Sequence, residues 1–292
     1  MCNVRTRTKK PSWLKKRLPR GGDYQRVTRL LSKANLHTVC QEANCPNMFE
    51  CFSKNTSTFM ILGDQCTRHC RFCNVTAQPA LAVDPQEPEN VAETVLELGL
   101  KYVVITSVTR DDLEDGGAGH FARVIRAVRE AGEENGLSIR VEVLIPDFQG
   151  AQAALQTVID ARPDVINHNI ETVQDLYPRV RPEAGYGRSL ALIRRVKESG
   201  AGIPTKSGIM VGLGETRDQL VRTMEDLHDH GCDILTIGQY LQPTRDHLEV
   251  EKYYPPEEFE ELEGLARKIG FSQVASGPFV RSSYQAEELF NS

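Results

Sequence analysis

The chain has 292 residues, 40% of them hydrophobic and 26% charged, an ordinary composition for one large α/β domain with a full core. No stretch approaches about 18 uninterrupted apolar residues, which excludes a transmembrane helix. The net charge is −5, yet the first 29 residues hold ten Lys or Arg against one acid, Asp23, so the basic charge is local. That run reads as a solvated tail, a nucleic-acid arm or, less well, a transit peptide. Met1-Cys2 is followed by basic and polar residues rather than an apolar run, so neither a secretory nor a lipoprotein signal fits, and a cytoplasmic protein is expected.

Next in order, six of the eight cysteines fall within residues 40–73 as two groups of three, Cys40, Cys45, Cys51 and then Cys66, Cys70, Cys73. Clustered thiols in a reducing compartment favour metal ligation over disulfides. The second group spaces its thiols three and two residues apart, so one tight loop can wrap three thiolates around one side of a cubane and leave an iron open. A structural zinc site closes with four ligands, and zinc is the competing reading for either triplet alone. Cys2 and Cys232 lack spaced partners and read as a terminal thiol and a core thiol.

Between and after the triplets the pattern is β/α. Residues 56–62 are β-branched and apolar and read as a first strand that delivers the second triplet at its carboxyl end. Strands follow at 102–106, 139–145, 164–169, 206–211 and 233–238, each preceded by helical spacing such as Val91, Val95, Leu98 or Phe121, Val124, Ile125, Val128. Such alternation implies a parallel sheet with right-handed crossovers. A last helix carries Phe259, Leu262, Leu265 and Ile269, before a short strand at 271–275. The expected fold class is α/β: an open six-stranded (β/α)6 partial TIM-type barrel with N- and C-terminal extensions. The divisions are a basic extension with the first triplet (1–55), the barrel (56–240) and a C-terminal extension closing the mouth (241–292).

Ligand sites in parallel α/β folds lie at the carboxyl ends of strands. The candidates there are Thr106 and Ser107, then Asp115, Gly116 and Gly117, Glu142, Asn167 and Asn169, and Lys206. Gly116-Gly117 before a helix would let backbone N–H groups approach a carboxylate. His168 reads equally as core or active site, and His69 as a surface side chain.

The cysteine loop with Phe72 before Cys73 resembles the radical S-adenosylmethionine (SAM) superfamily. The first triplet's spacing just upstream, with Pro11-Ser12-Trp13-Leu14-Lys15, the stretch from Lys206 to Glu215 and Arg281-Ser282-Ser283-Tyr284, is similar to the lipoyl synthase family over roughly residues 11–286. This resemblance implies two 4Fe-4S clusters and SAM as cofactors. Cys66, Cys70 and Cys73 would hold the cluster that binds SAM, and Cys40, Cys45 and Cys51 an auxiliary cluster completed by Ser283 and serving as sulfur donor. By resemblance the Asp115-Gly116-Gly117 stretch would meet the methionine amino group of SAM, and from their positions at the strand ends Thr106, Ser107, Glu142, Asn167, Asn169 and Lys206 would contact SAM. The implied reaction inserts two sulfur atoms at carbons six and eight of an octanoyl-lysine chain. The substrate protein would be an octanoylated lipoyl carrier, a dehydrogenase-complex E2 lipoyl domain or glycine-cleavage H protein, with ferredoxin or flavodoxin as electron donor and no nucleic acid or membrane. Lys9, Lys10, Lys15, Lys16 and Arg17 would steer the carrier to its dock. Two rivals stand beside this reading: another radical SAM sulfur-transfer enzyme, such as a methylthiotransferase or biotin synthase, and a zinc-stabilised nucleic-acid module.

Overall fold

Each β-branched run of the sequence becomes a strand, within two or three residues of the expected limits. The computed structural model describes residues 10–15, 23–54 and 57–291. The strands are β1 (His37–Thr38), β2 (Thr58–Ile61), β5 (Tyr102–Ser107), β6 (Arg140–Leu144), β7 (Val165–Asn167), β8 (Thr205–Val211), β9 (Ile234–Gln239) and β10 (Gln273–Gly277). They form one eight-stranded sheet in the order β1-β2-β5-β6-β7-β8-β9-β10. All pairings are parallel except β1 with β2. A separate short ribbon pairs β3 (Gln65–Cys66) with β4 (Thr76–Ala77). The sheet stays open, with β1 and β10 as its edges, so the six expected barrel strands carry one added strand on each side.

Side-chain alternation sorts the two faces of each strand. On β5, Val103 and Ile105 pack into the core under the helices, whereas Tyr102 and Val104 meet Ala286 and Phe290 on the concave side. The covering helices are α4 (Glu87–Leu98), α5 (Ala118–Glu134), α6 (Gln152–Asp160), α8 (Tyr186–Glu198), α9 (Arg217–Asp229) and α10 (Pro256–Ile269), with a four-residue α7 (Tyr177–Val180) between β7 and α8. Thr216 and Gln219 form a capping box that fixes the start of α9.

The amino-terminal region departs from a plain solvated tail. Residues Asp23–Lys33 form α1, because Val27 and Leu31 recur at helical spacing and are both buried. Tyr24 stacks on Phe49 with ring centroids 4.9 Å apart. Residues 1–9 and 16–22, with Cys2, Lys9, Lys16 and Arg17 of the basic run, lie outside the described residues. Two short helices follow, α2 (Val39–Glu42) and α3 (Met48–Ser53).

The carboxyl-terminal extension packs at both ends of the strands. Leu248 N–H donates to the Arg71 carbonyl, laying the segment after β9 over the second cysteine loop. Beyond β10 the chain passes down the concave side, and the final helix α11 (Ala286–Asn291) lies at the amino ends of the strands. There Phe290 meets Tyr102 and the guanidinium of Arg140, each the first residue of its strand.

Candidate active site

The first triplet is built on a helix, a turn and a helix. Thr38 caps α2 by accepting from Gln41 N at 3.3 Å, which sets Cys40 in its first turn. Asn44 turns the chain at φ 48°, and Cys45 N–H donates to the Cys40 carbonyl. Cys51 follows on α3. Burial, reinforced by Cys45, pushes the Cys40 thiol up to about 12.

The chain's other end reaches the same place. Asn47 Nδ2 donates to the Phe279 carbonyl at 2.7 Å, and Tyr284 OH donates to Glu50 Oε1 at 2.8 Å. Ser283 and Cys51 line one cavity of about 400 Å3, together with Thr58 and Tyr102. Ser282 faces away from it and donates to Asn169 Oδ1 at 2.8 Å. Gly238 on β9 makes room for this crossing, since a Cβ there would lie 2.2 Å from the Val280 carbonyl oxygen.

The second triplet sits on the loop after β2, closed by the β3–β4 ribbon. Its fixings come from the loops that follow the strands. Arg68, buried within the triplet, clamps Asp111 through Nε at 2.6 Å and Nη2 at 2.9 Å, and donates from Nη2 to Asp147 at 2.6 Å. Burial works to raise the Asp147 carboxyl, yet the Arg68 hydrogen bond and charge hold it down at about 2. Arg71 N–H donates to the Val180 carbonyl, His69 N–H to Glu183 at 2.9 Å, and His247 bonds the Cys73 carbonyl at 2.8 Å. The His69 ring itself is exposed, as its place in the sequence implied. Cys66 Sγ accepts from Arg68 N at 3.5 Å and Thr109 N at 3.4 Å. Burial raises Cys73 to about 12 and Cys70 to about 11, the latter opposed by the charge of Arg181. The seven described cysteines are all free, and Asn74 Nδ2 joins the two triplets by donating to the Glu42 carbonyl at 2.8 Å.

Several residues expected at the cofactor are committed elsewhere. Glu142 and Lys206 form a buried pair, each 1% exposed, with Nζ 2.9 Å and 3.1 Å from the carboxylate oxygens. Tyr102 OH and Asn167 Nδ2 complete that carboxylate's shell at 2.7 Å and 3.0 Å. A buried pair so enclosed is held by mutual neutralisation, and breaking it would strand a charge. Asp115 accepts from Gly117 N at 2.8 Å and Gly119 N at 2.7 Å, while Gly116 N–H donates to the Leu113 carbonyl. In this structure the glycine N–H groups serve the turn that leads into α5. Gly117 is required because its φ is 90° and a Cβ would lie 2.4 Å from Leu62 Cδ1. Thr106 Oγ1 donates to the Leu144 carbonyl. Ser107 Oγ, Asn167 Oδ1 and Arg181 Nε, by contrast, are buried without a partner. His168 belongs to the core, bonded to the Ile145 carbonyl and Ser189 Oγ at 2.8 Å each. Cys232 is a buried core thiol.

Arg68, Asp147 and Arg181 were not singled out in the sequence, and Asp111 only as part of the run from Arg110 to Gly117 after the second strand. Position is the one signal that could have found them, since Asp111 and Asp147 stand just past the ends of β5 and β6.

The comparisons bear on the same residues. The sequence model of the radical SAM superfamily matches residues 60–227, and that of the N-terminal domain of lipoyl synthase of the radical SAM family matches residues 2–45. A lipoyl synthase of Desulfotalea psychrophila is 55% identical over 99% of this chain and 95% of its own length. One of Alkaliphilus metalliredigens is 55% identical over 96% and 95%. Among solved structures, HydG, a maturase of the FeFe-hydrogenase, matches with a TM-score of 0.57 at 16% identity, covering 86% of this chain and 63% of its own. Streptococcus suis SuiB bound to SAM matches at 0.56 and 12% identity, over 76% and 51%. The fold is thus that of radical SAM enzymes, and the near full-length identity is closer still: this chain belongs to the lipoyl synthase family.

Proposed function

We propose that this chain is a SAM-dependent sulfurtransferase that inserts two sulfur atoms at carbons six and eight of an octanoyl chain carried on a lysine of a lipoyl carrier protein. Cys66, Cys70 and Cys73 would hold the 4Fe-4S cluster that binds SAM, and Cys40, Cys45, Cys51 and Ser283 the auxiliary one. The observation that carries this reading is the meeting of two free thiol triplets, joined by Asn74 and Glu42, with Ser283 sharing a cavity with Cys51. Among the described residues no three His, Cys, Asp or Glu converge as a single ion's shell requires.

When bound, the SAM-binding cluster supplies the electron that generates the substrate radical and the auxiliary cluster supplies the sulfur. The chain's own work is positioning, charge balance and exclusion of water. Burial disfavours the thiolate at Cys40, Cys70 and Cys73, so the charge of a bound cluster would be what draws those protons off. N–H groups from Arg68 and Thr109 then stabilise charge at Cys66 Sγ. The unpartnered Arg181 Nε and Asn167 Oδ1 fit the carboxylate and hydroxyl groups of SAM. Phe72, Val180, Leu213 and Tyr240 pack together beside the loop and shield its flank.

The carrier would be a dehydrogenase-complex E2 lipoyl domain or a glycine-cleavage H protein, the electron donor a ferredoxin or flavodoxin, and the compartment the cytoplasm. Among the described residues no helix is long and apolar enough to cross a membrane. Anaerobic turnover of an octanoyl-lysine peptide with SAM tests the reaction. Reconstitution with isotopically labelled sulfide should give labelled product in a single turnover, and unlabelled product from fully labelled enzyme would rule out the auxiliary cluster as donor.

A further inference from the structure

Ser282 and Ser283 are neighbours with different surroundings. Ser283 lines the cavity shared with Cys51, while Ser282 Oγ donates to Asn169 Oδ1 at 2.8 Å, across 113 residues of sequence. The Asn169 amide is used at both ends, since its Nδ2 donates to Glu171 Oε1 at 3.1 Å. Glu171 is pinned to β8, its N–H bonded to the Gly208 carbonyl and its carbonyl to Met210 N–H, at a φ of 65°. Arg181 Nη1 in turn donates to the Asn169 carbonyl at 2.9 Å. On either side of Arg181, the Val180 carbonyl accepts from Arg71 N–H and Glu183 accepts from His69 N–H. A continuous run of contacts therefore leads from the Cys66/Cys70/Cys73 loop through residues 180–183 and 169–171 to Ser282.

We propose that Asn169 is a positioning residue for the auxiliary site: by holding Ser282 it fixes where Ser283 Oγ stands, and through Arg181 it ties that position to the loop carrying Cys70. This inference rests on the reading of Ser283 as a cluster ligand. Space is reserved for the link, because a Cβ on Gly208 would lie 2.8 Å from Asn169 Oδ1 and 2.9 Å from Ser282 Oγ. Turning the amide would set Oδ1 against Glu171 Oε1, so Nδ2 stays on Glu171 and Oδ1 stays toward the serine hydroxyl. The consequence is that the auxiliary site's oxygen ligand and the radical-forming loop are registered to each other before any substrate arrives.

The test uses Mössbauer spectra of holoenzyme loaded with isotopically labelled iron, together with the rate at which a chelator takes the first iron. Serine oxygen is harder than thiolate, so an iron bound to it has its own doublet, and Ser283→Ala should remove that doublet. Ser282→Ala lacks a single hydroxyl and should keep normal iron content while releasing the first iron about fivefold to tenfold faster, the effect of one hydrogen bond of ordinary net strength. Asn169→Ala should do the same, the double variant no more than either single one, and Ser282→Thr should restore slow release. Wild-type release with an intact serine-bound doublet in both Ser282→Ala and Asn169→Ala overturns the link while leaving Ser283 as ligand. A Ser283→Ala spectrum identical to wild type removes the ligand reading, and this inference with it.

Discussion

The two cysteine triplets are held in opposite ways. Around Cys66, Cys70 and Cys73 the fixings are the loops after the strands, including a buried guanidinium between two aspartates, with His247 and Leu248 from the C-terminal extension added. Around Cys40, Cys45 and Cys51 the fixings include contacts between the chain's two ends, among them hydrogen bonds from Asn47 and Tyr284. The first arrangement is a fixture; the second is a joint. A cluster that acts repeatedly as an electron source is suited to a fixture, and one dismantled in turnover to a joint.

The largest effect should come from removing either triplet. Cys66, Cys70 and Cys73 replaced together by alanine should leave about one 4Fe-4S cluster and abolish SAM cleavage. The same change at Cys40, Cys45 and Cys51 should also leave about one cluster, still cleave SAM and form no lipoyl product. Iron and sulfide analysis with chromatography of 5'-deoxyadenosine checks both. Loss of SAM cleavage only in the second variant would reverse the assignment.

The fixture can next be broken without touching a ligand. Arg68→Met leaves Asp111 and Asp147 facing each other, and Asp147 is fully buried at its side chain. Asp147 keeps Arg188 at 3.1 Å, so what is lost is the Arg68 hydrogen bonding to two carboxylates, which should cost about 1.5–3 kcal/mol in urea unfolding. Adding Asp147→Asn should recover part of the loss, whereas a cost under about 1 kcal/mol for the single change would mean that the clamp is idle.

That clamp also marks where the sequence stops being legible. Strands were readable because Val103, Ile105, Val141 and Val143 are β-branched and buried on the helix side, and cysteine spacing is local. The Arg68 partners lie 43 and 79 residues away, and no local pattern distinguishes them from solvated charge. Glu142 and Lys206 stood at the right strands for a ligand, yet neutralise each other across the barrel. Helix α1 was hidden by its basic residues, although Val27 and Leu31 keep its helical spacing. For Ser282 and Ser283 the sequence motif alone separated the pair only through family resemblance; the Asn169 contact does so physically.

The barrel should also carry a pH sensitivity of its own. His168 is buried, and burial followed by the charge of Arg181 holds it neutral down to about 4 against an ordinary 6.5. Between those values the unfolded chain binds a proton that the fold refuses, so stability falls as pH drops from about 6.5 to about 4, by about 3 kcal/mol. Above pH 6.5 the imidazole is neutral in both states and contributes no slope. His168→Asn keeps a donor for the Ile145 carbonyl and should flatten the profile. Comparing the two proteins cancels the acid lability of the clusters, which they share, and parallel profiles would assign the slope to other groups.

The smallest effect tests the joint. Tyr284→Phe removes one hydroxyl that donates to Glu50, and a hydrogen bond to a carboxylate in a half-exposed setting is worth about 1 kcal/mol or somewhat more. The barrel strands do not depend on that contact, so global unfolding should barely change. What should change is local: amide exchange at residues 279–286 and 47–52 should speed up together by about fivefold, because each segment is the other's anchor. The loop at 66–73, held by the Arg68 clamp, should keep its wild-type protection. Equal loosening of both loops would show that the two sites share one support, and faster exchange in the C-terminal segment alone would show that α2 and α3 stand without it.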